Sequence, residues 1–237
     1  MLLATTILIK PSHITLYKIK NLFRNYGWML ASYFVFFTLL GILQVVFPDL
    51  DIFKYQQSDL NALMSENPWK FVLLAVIIAP VLEEGMFRTL IKPTPKEFIF
   101  FLCSWILVGV TMLIPVDVHW AIKFGFLLLF ITLVYYFLKE LIPKSFQHKA
   151  CSFLNRNYII IWMITSIIFG LVHISNYVDG FQLDFLLFLM IVPRIIAGFY
   201  FGKIKIENRS MVWPIAMHAM NNATVLVFLL PKLFSAT

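Results

Sequence analysis

Apolar residues in this chain fall into long unbroken runs, and the polar residues collect in short intervals between them. Runs near twenty residues match the thickness of a bilayer crossed by a helix rising about 1.5 Å per residue. The pattern predicts seven such helices, over about residues 27 to 47, 70 to 92, 97 to 115, 119 to 138, 158 to 178, 183 to 202 and 209 to 230. Alternating segments of about ten residues, which a membrane β-barrel requires, are absent. Backbone polar groups in lipid must then pair within each segment, so the expected fold is all-α, a polytopic transmembrane helical bundle of about seven spans.

Two segments depart from this pattern. Met1 to Ile9 is apolar and precedes Lys10, Lys18, Lys20 and Arg24, the reverse of the charge order in a signal peptide, so it is read as retained. Ile14, Leu16, Ile19, Leu22 and Phe23 alternate with basic residues, which fits either a helix lying along the membrane face or a solvated one. The division that follows is a basic, amphipathic cytoplasmic segment over 1–26 and one membrane domain over 27–237. No internal repeat or segment of soluble-domain size interrupts it.

Composition sharpens the class. Hydrophobic residues make up 61% and charged residues 13% of the 237, against roughly 25% charged in a soluble domain. The net charge of +7 does not require a nucleic-acid partner, because the basic residues lie mostly in short loops on one side, against only Lys54, Lys70 and Lys123 on the other. Lys92 and Lys96, then Lys139, Lys144, Lys149 and Arg156, then Lys203, Lys205 and Arg209 alternate with intervals holding Asp49, Asp51, Asp59 and Glu66, then Asp117, then Asp179 and Asp184. This bias places the N-terminus in the cytoplasm and the C-terminus outside. Cys103 and Cys151 have no spacing for a disulfide framework or a metal knuckle. The expected partners are the lipid bilayer and a peptide or protein substrate; oligomeric state is left open.

Chemistry enters through ionisable residues inside the spans, which are costly in lipid and mark functional sites by default. The second span carries Glu83, Glu84 and Arg88. Glu84 and Arg88 are four residues apart on one face and can pair, whereas Glu83 points about 100° away and has no local partner. Glu83 is therefore the candidate general base, with a structural ion-pair network of all three as the alternative. The fifth span carries His173 near its end, and the seventh carries His218 and Asn222 on a shared face. Taken singly, each histidine fits packing as well as catalysis. Together, two imidazoles and a glutamate could hold a metal, Zn²⁺ being the ion such a set would take, or Glu83 could activate water unaided while His and Asn stabilise an oxyanion. Neither a His-Glu-x-x-His helix nor a Gly-x-Ser-x-Gly elbow is present. By span limits His173 lies several residues, or about 8 Å, nearer the outer end than His218. Arg194, after Pro193, fits a substrate carboxylate, an ion pair or a snorkelling side chain equally well.

Glu83-Glu84-x-x-x-Arg88, Phe169-x-x-x-His173 and His218-x-x-x-Asn222, in that order on separate spans, resemble the CPBP family of CAAX proteases and bacteriocin-processing (Abi) enzymes. The resemblance covers about Phe71 to Leu230. It implies a helical intramembrane endopeptidase of a bacterial plasma membrane, with Glu83 as base, His173, His218 and Asn222 completing the site, and Glu84 and Arg88 supporting. The rival classes are a non-catalytic membrane scaffold or bacteriocin-immunity factor that binds a peptide or membrane partner, and a small transporter using the carboxylates as a proton relay.

Overall fold

A computed structural model describes residues 11–51, 54–55, 67–115, 118–178, 182 and 184–234. Met1 to Ile9, Asp59, Glu66, Asp117 and Asp179 lie outside them. The described chain is helical throughout and contains no strand. In chain order, α1 is Pro11–Val46, α2 is Pro68–Leu73, a π-helical turn occupies Leu74–Ile78, and α3 is Ala79–Phe87. Next come α4, Pro95–Leu113; α5, Trp120–Leu141; α6, Lys144–Arg156; α7, Tyr158–Leu171 with a 3₁₀ turn at Val172–Asn176; α8, Phe185–Asn208; and α9, Val212–Phe234.

Five helical stretches among the described residues are long and apolar enough to cross a membrane: Ile14–Val46, Pro95–Leu113, Trp120–Leu141, Tyr158–Asn176 and Phe185–Asn208. Their outward faces remain apolar, with Phe34, Leu39, Leu128, Leu133 and Ile160 exposed, as expected where lipid replaces water. The α2–π–α3 stretch and α9 complete the seven runs read from hydropathy.

The bundle is organised around α8, which packs against α7, α1 and α9. Glycines set the α7–α8 contact. A Cβ on Gly170 would collide with Ile195, one on Gly202 with the Trp162 indole, and one on Gly198 would lie 3.1 Å from the Ser166 carbonyl oxygen. The pairings 170 with 195, 166 with 198 and 162 with 202 make the two helices antiparallel. Gly198-x-x-x-Gly202 is the small-residue spacing that lets membrane helices approach backbone to backbone. At the periphery, α5 buries none of its residues.

The predicted boundaries shift in three places. The division at residue 26 falls inside one continuous helix, α1. The N-terminal segment is docked rather than loose: Asn21 and Asn25 are buried, Asn21 donating to Asn208 (3.1 Å) and Asn25 to Glu207 (2.7 Å). The interval 139–157 is mostly α6, whose Gln147 donates to the Lys139 and Ile142 carbonyls (3.3 and 2.8 Å), groups at the end of α5 that would otherwise lack donors. Finally, α8 continues to Asn208, ending where Arg209 turns left-handed (φ 51°). Lys203 and Lys205 are thus helical, Lys205 being buried and paired with Glu97, which also closes the capping box of α4.

Candidate active site

The second hydrophobic run is a broken helix because of its prolines and the turn between them. Asn67 caps α2 by accepting from the Lys70 N–H (3.0 Å), and Pro68 occupies the first turn, where no N–H is needed. The chain then widens into the π turn, the Ala79 N–H reaching back five residues to the Leu74 carbonyl. The next donor in that register would be residue 80, which is Pro80 and has none. Asn222 supplies the missing donor from α9, its Nδ2 lying 2.8 Å from the Ala75 carbonyl oxygen. That amide therefore shapes the helix immediately before the paired glutamates, and Asn222 does not point its donor at Glu83. Asn221 holds it from the side, donating to Asn222 Oδ1 (3.4 Å) and accepting from the Tyr33 hydroxyl (3.3 Å).

Beyond Pro80 the two glutamates diverge as their spacing predicts. Glu84 is fully buried; its Oε2 lies 3.2 Å from Nε of Arg88, also fully buried, at ion-pair distance though not aligned as a hydrogen bond. Arg88 lies over the Phe169 ring (4.5 Å to its centre) and donates weakly to the Thr165 carbonyl (3.5 Å). Glu84 Oε1 accepts from Nδ1 of His218 at 2.9 Å. The ring of His218 stacks on Phe201 (4.7 Å, 19°) and meets Phe169 edge-on (5.7 Å, 82°). Arg88, Glu84 and His218 thus form one buried chain across α3 and α9.

Glu83 faces the other way, with 27% of its side chain exposed while its Oε2 is buried and has no hydrogen-bond partner. Nε2 of His173 lies 3.7 Å and Nε2 of His218 3.8 Å from that oxygen. The span limits had separated these histidines. They converge because the His173 ring folds back along its own helix, Nδ1 lying 2.6 Å from the Phe169 carbonyl oxygen four residues earlier, and because Glu83 reaches between them.

The partners of the two Nδ1 atoms fix the tautomers. A carbonyl and a carboxylate only accept, so each Nδ1 carries a proton and, in a neutral ring, each Nε2 presents a lone pair toward Glu83. Two imidazole lone pairs and a carboxylate oxygen facing one another call for a shared proton donor, as a water molecule provides. Among the described residues no group of three or more His, Cys, Asp or Glu side chains is disposed to hold a metal ion.

A family model of Type II CAAX prenyl endopeptidase, Rce1-like, matches residues 65–224. The chain belongs to that family. This is the CPBP family that the three motifs resemble. The match takes in Glu83, His173, His218 and Asn222 and leaves all of α1 outside. Neither curated proteins nor solved structures gave a match. Membership in this Rce1-like family, with several apolar helices, makes the chain an integral membrane protein of an endopeptidase family.

Several residues around the Rce1-like site were not singled out in the sequence. Phe201, which stacks on His218, sits in an apolar run of α8 with nothing to distinguish it. Tyr33 and Asn221 support Asn222 from α1 and α9, and only tertiary contact reveals them. Pro80 stands in the second hydrophobic run, but its link to Asn222 shows only in the structure.

Proposed function

We propose that this protein is an intramembrane endopeptidase that hydrolyses a peptide bond of a membrane-associated peptide or lipidated protein terminus, with Glu83 as general base. The observation that carries the reading is the single buried oxygen, Glu83 Oε2, set 3.7 and 3.8 Å from two histidine nitrogens delivered by two other helices. Water held there hydrogen-bonds to Nε2 of His173 and gives one proton to Glu83 as its oxygen attacks the scissile carbonyl carbon, the other hydrogen staying on that oxygen. Glu84 holds the His218 ring by accepting from Nδ1, and Nε2 of His218, in the protonated ring, donates to the oxyanion as it forms. Glu83 then passes its proton to the leaving nitrogen as the carbon–nitrogen bond breaks. Glu83 is thereby restored as a carboxylate. Arg88 pairs with Glu84 and so holds it against His218, and Asn222 positions Glu83 through the π turn.

The test compares small membrane peptides in cells expressing the parent protein with those expressing Glu83→Gln, which retains shape and loses the proton acceptor. A peptide that accumulates only in the variant is the substrate, and the purified parent should cleave it. If no peptide differs and the purified protein binds a membrane peptide without cleaving it, the scaffold reading takes its place.

A further inference from the structure

Arg194 is not used by the site as described. It is half-buried in α8, nine residues from Phe185 and fourteen from Asn208, or about 14 and 21 Å from the helix ends at about 1.5 Å per residue. A side chain cannot snorkel to either end from that depth. Among the described residues it forms no hydrogen bond or ion pair. A guanidinium held within a membrane span without a direct ion-pair partner is costly, and such a group is by default a functional-site candidate that an arriving anion would satisfy.

Its place on the helix says where. Arg194, Gly198 and Phe201 lie four and seven residues apart along one face. At Gly198 an added Cβ would sit 3.2 Å from Arg88 Nη2, and Phe201 stacks on His218. The face carrying Arg194 therefore lines the candidate site. The adjacent Ile195 packs at Gly170, three residues before His173.

Resting on the hydrolytic reading above, we infer that Arg194 receives a carboxylate of the substrate, within a few residues of the scissile bond. The planar fork of donors on a guanidinium matches a carboxylate through two parallel hydrogen bonds, which Lys reproduces only as a point charge. The carboxylate is either the free C-terminus of the substrate or an acidic side chain near it.

The probes are three fluorescent peptides S-farnesylated on Cys: Cys-Val-Ile-Met as the free acid, the same peptide as the C-terminal amide, and Cys-Val-Ile-Glu as the C-terminal amide. Binding is measured on detergent-solubilised Glu83→Gln, which does not consume the probe, with and without Arg194→Gln or Arg194→Lys. The Arg194-containing protein should bind the free acid about ten- to a hundred-fold tighter than the plain amide, as for a hydrogen bond between charged groups. Arg194→Gln should remove that difference, and Arg194→Lys should retain a small part of it. Tight binding of the Glu-containing amide assigns the pocket to an acidic side chain, and weak binding assigns it to the C-terminus. Equal affinities for acid and amide, or no binding of either, overturn the inference.

Turnover separates this from the hydrolytic reading. In an otherwise unaltered protein, Arg194→Gln should raise KM for the acid with kcat nearly unchanged. A fall in kcat for acid and amide alike would mean that Arg194 acts through Glu83 and would also overturn the inference. Acid-over-amide binding without any cleavage by the parent would keep Arg194 as a carboxylate site and discard the proteolytic reading.

Discussion

Glu83 and Glu84 differ by one position in sequence, and everything around them differs by the 100° that one position turns on a helix. Glu84 faces Arg88 and His218 with no exposed surface; Glu83 faces two Nε2 atoms and an opening. Glu83→Gln should therefore fold as the parent does and lose nearly all turnover. Glu84→Gln removes the carboxylate charge beside His218 and strands a buried guanidinium, so the expected loss includes stability of about 3–5 kcal/mol. Adding Arg88→Met to Glu84→Gln should restore part of the melting temperature by removing the second charge. Melting temperature and cleavage rate for the three variants check this; a stable, dead Glu84→Gln beside an active Glu83→Gln would reverse the roles. Metal content is checked on the same preparation. Water activated by Glu83 alone predicts activity at sub-stoichiometric Zn²⁺ that survives chelation, whereas loss on chelation and return with Zn²⁺ would assign the two imidazoles as ligands. The Glu84–Arg88 pair was legible because it is local. The meeting of Glu83 with both histidines was not, because it depends on how three helices cross and on the fold-back of the His173 ring.

At the scale of elements, the least legible feature is the π turn. Hydropathy sees one run over about 70 to 92, yet the register changes within it, and the carbonyl that Pro80 leaves without a donor is served by Asn222 from far along the chain. Family resemblance places Asn222 among the site residues; the contact shows a way for it to matter without touching substrate. Asn222→Ala should lower stability by about 1–3 kcal/mol, the cost of an unsatisfied buried acceptor, and slow cleavage through Glu83 misplacement. Pro80→Ala in that background returns an N–H at the right register and should recover part of both. Recovery of the melting temperature without any recovery of rate would instead place the Asn222 amide on the substrate. The α7–α8 seam offers a control of another kind. Gly202→Leu should fail to fold, since its side chain would need the space of the Trp162 indole, which also donates to the Phe199 carbonyl (2.8 Å).

For the whole molecule, the all-α membrane class was legible from run length and composition, because lipid leaves the backbone few alternatives. Orientation is a finer matter, and the structure changes which charges argue for it. Lys205 is buried against Glu97, Lys203 lies 3.9 Å from Glu207, and Glu207 also meets Arg24, so the interval 203–209 carries less free positive charge than its composition implies. The bias then rests mainly on Lys18 and Lys20 of α1 and on Lys144, Lys149 and Arg156 of α6, the amphipathic helix between α5 and α7. An odd number of spans puts the two ends on opposite sides. We therefore expect a reporter before Met1 to be cytoplasmic and one after Thr237 to be external. Replacing Lys144, Lys149 and Arg156 together by Gln should produce a mixed population, whereas replacing Lys203 and Lys205 should reduce folded yield without altering orientation. Both reporters in one compartment would mean that α9 or the broken α2–α3 stretch does not cross. In that event Glu83 and His218 would lie nearer one membrane surface, and the substrate bond would be cut at the interface instead of within the bilayer.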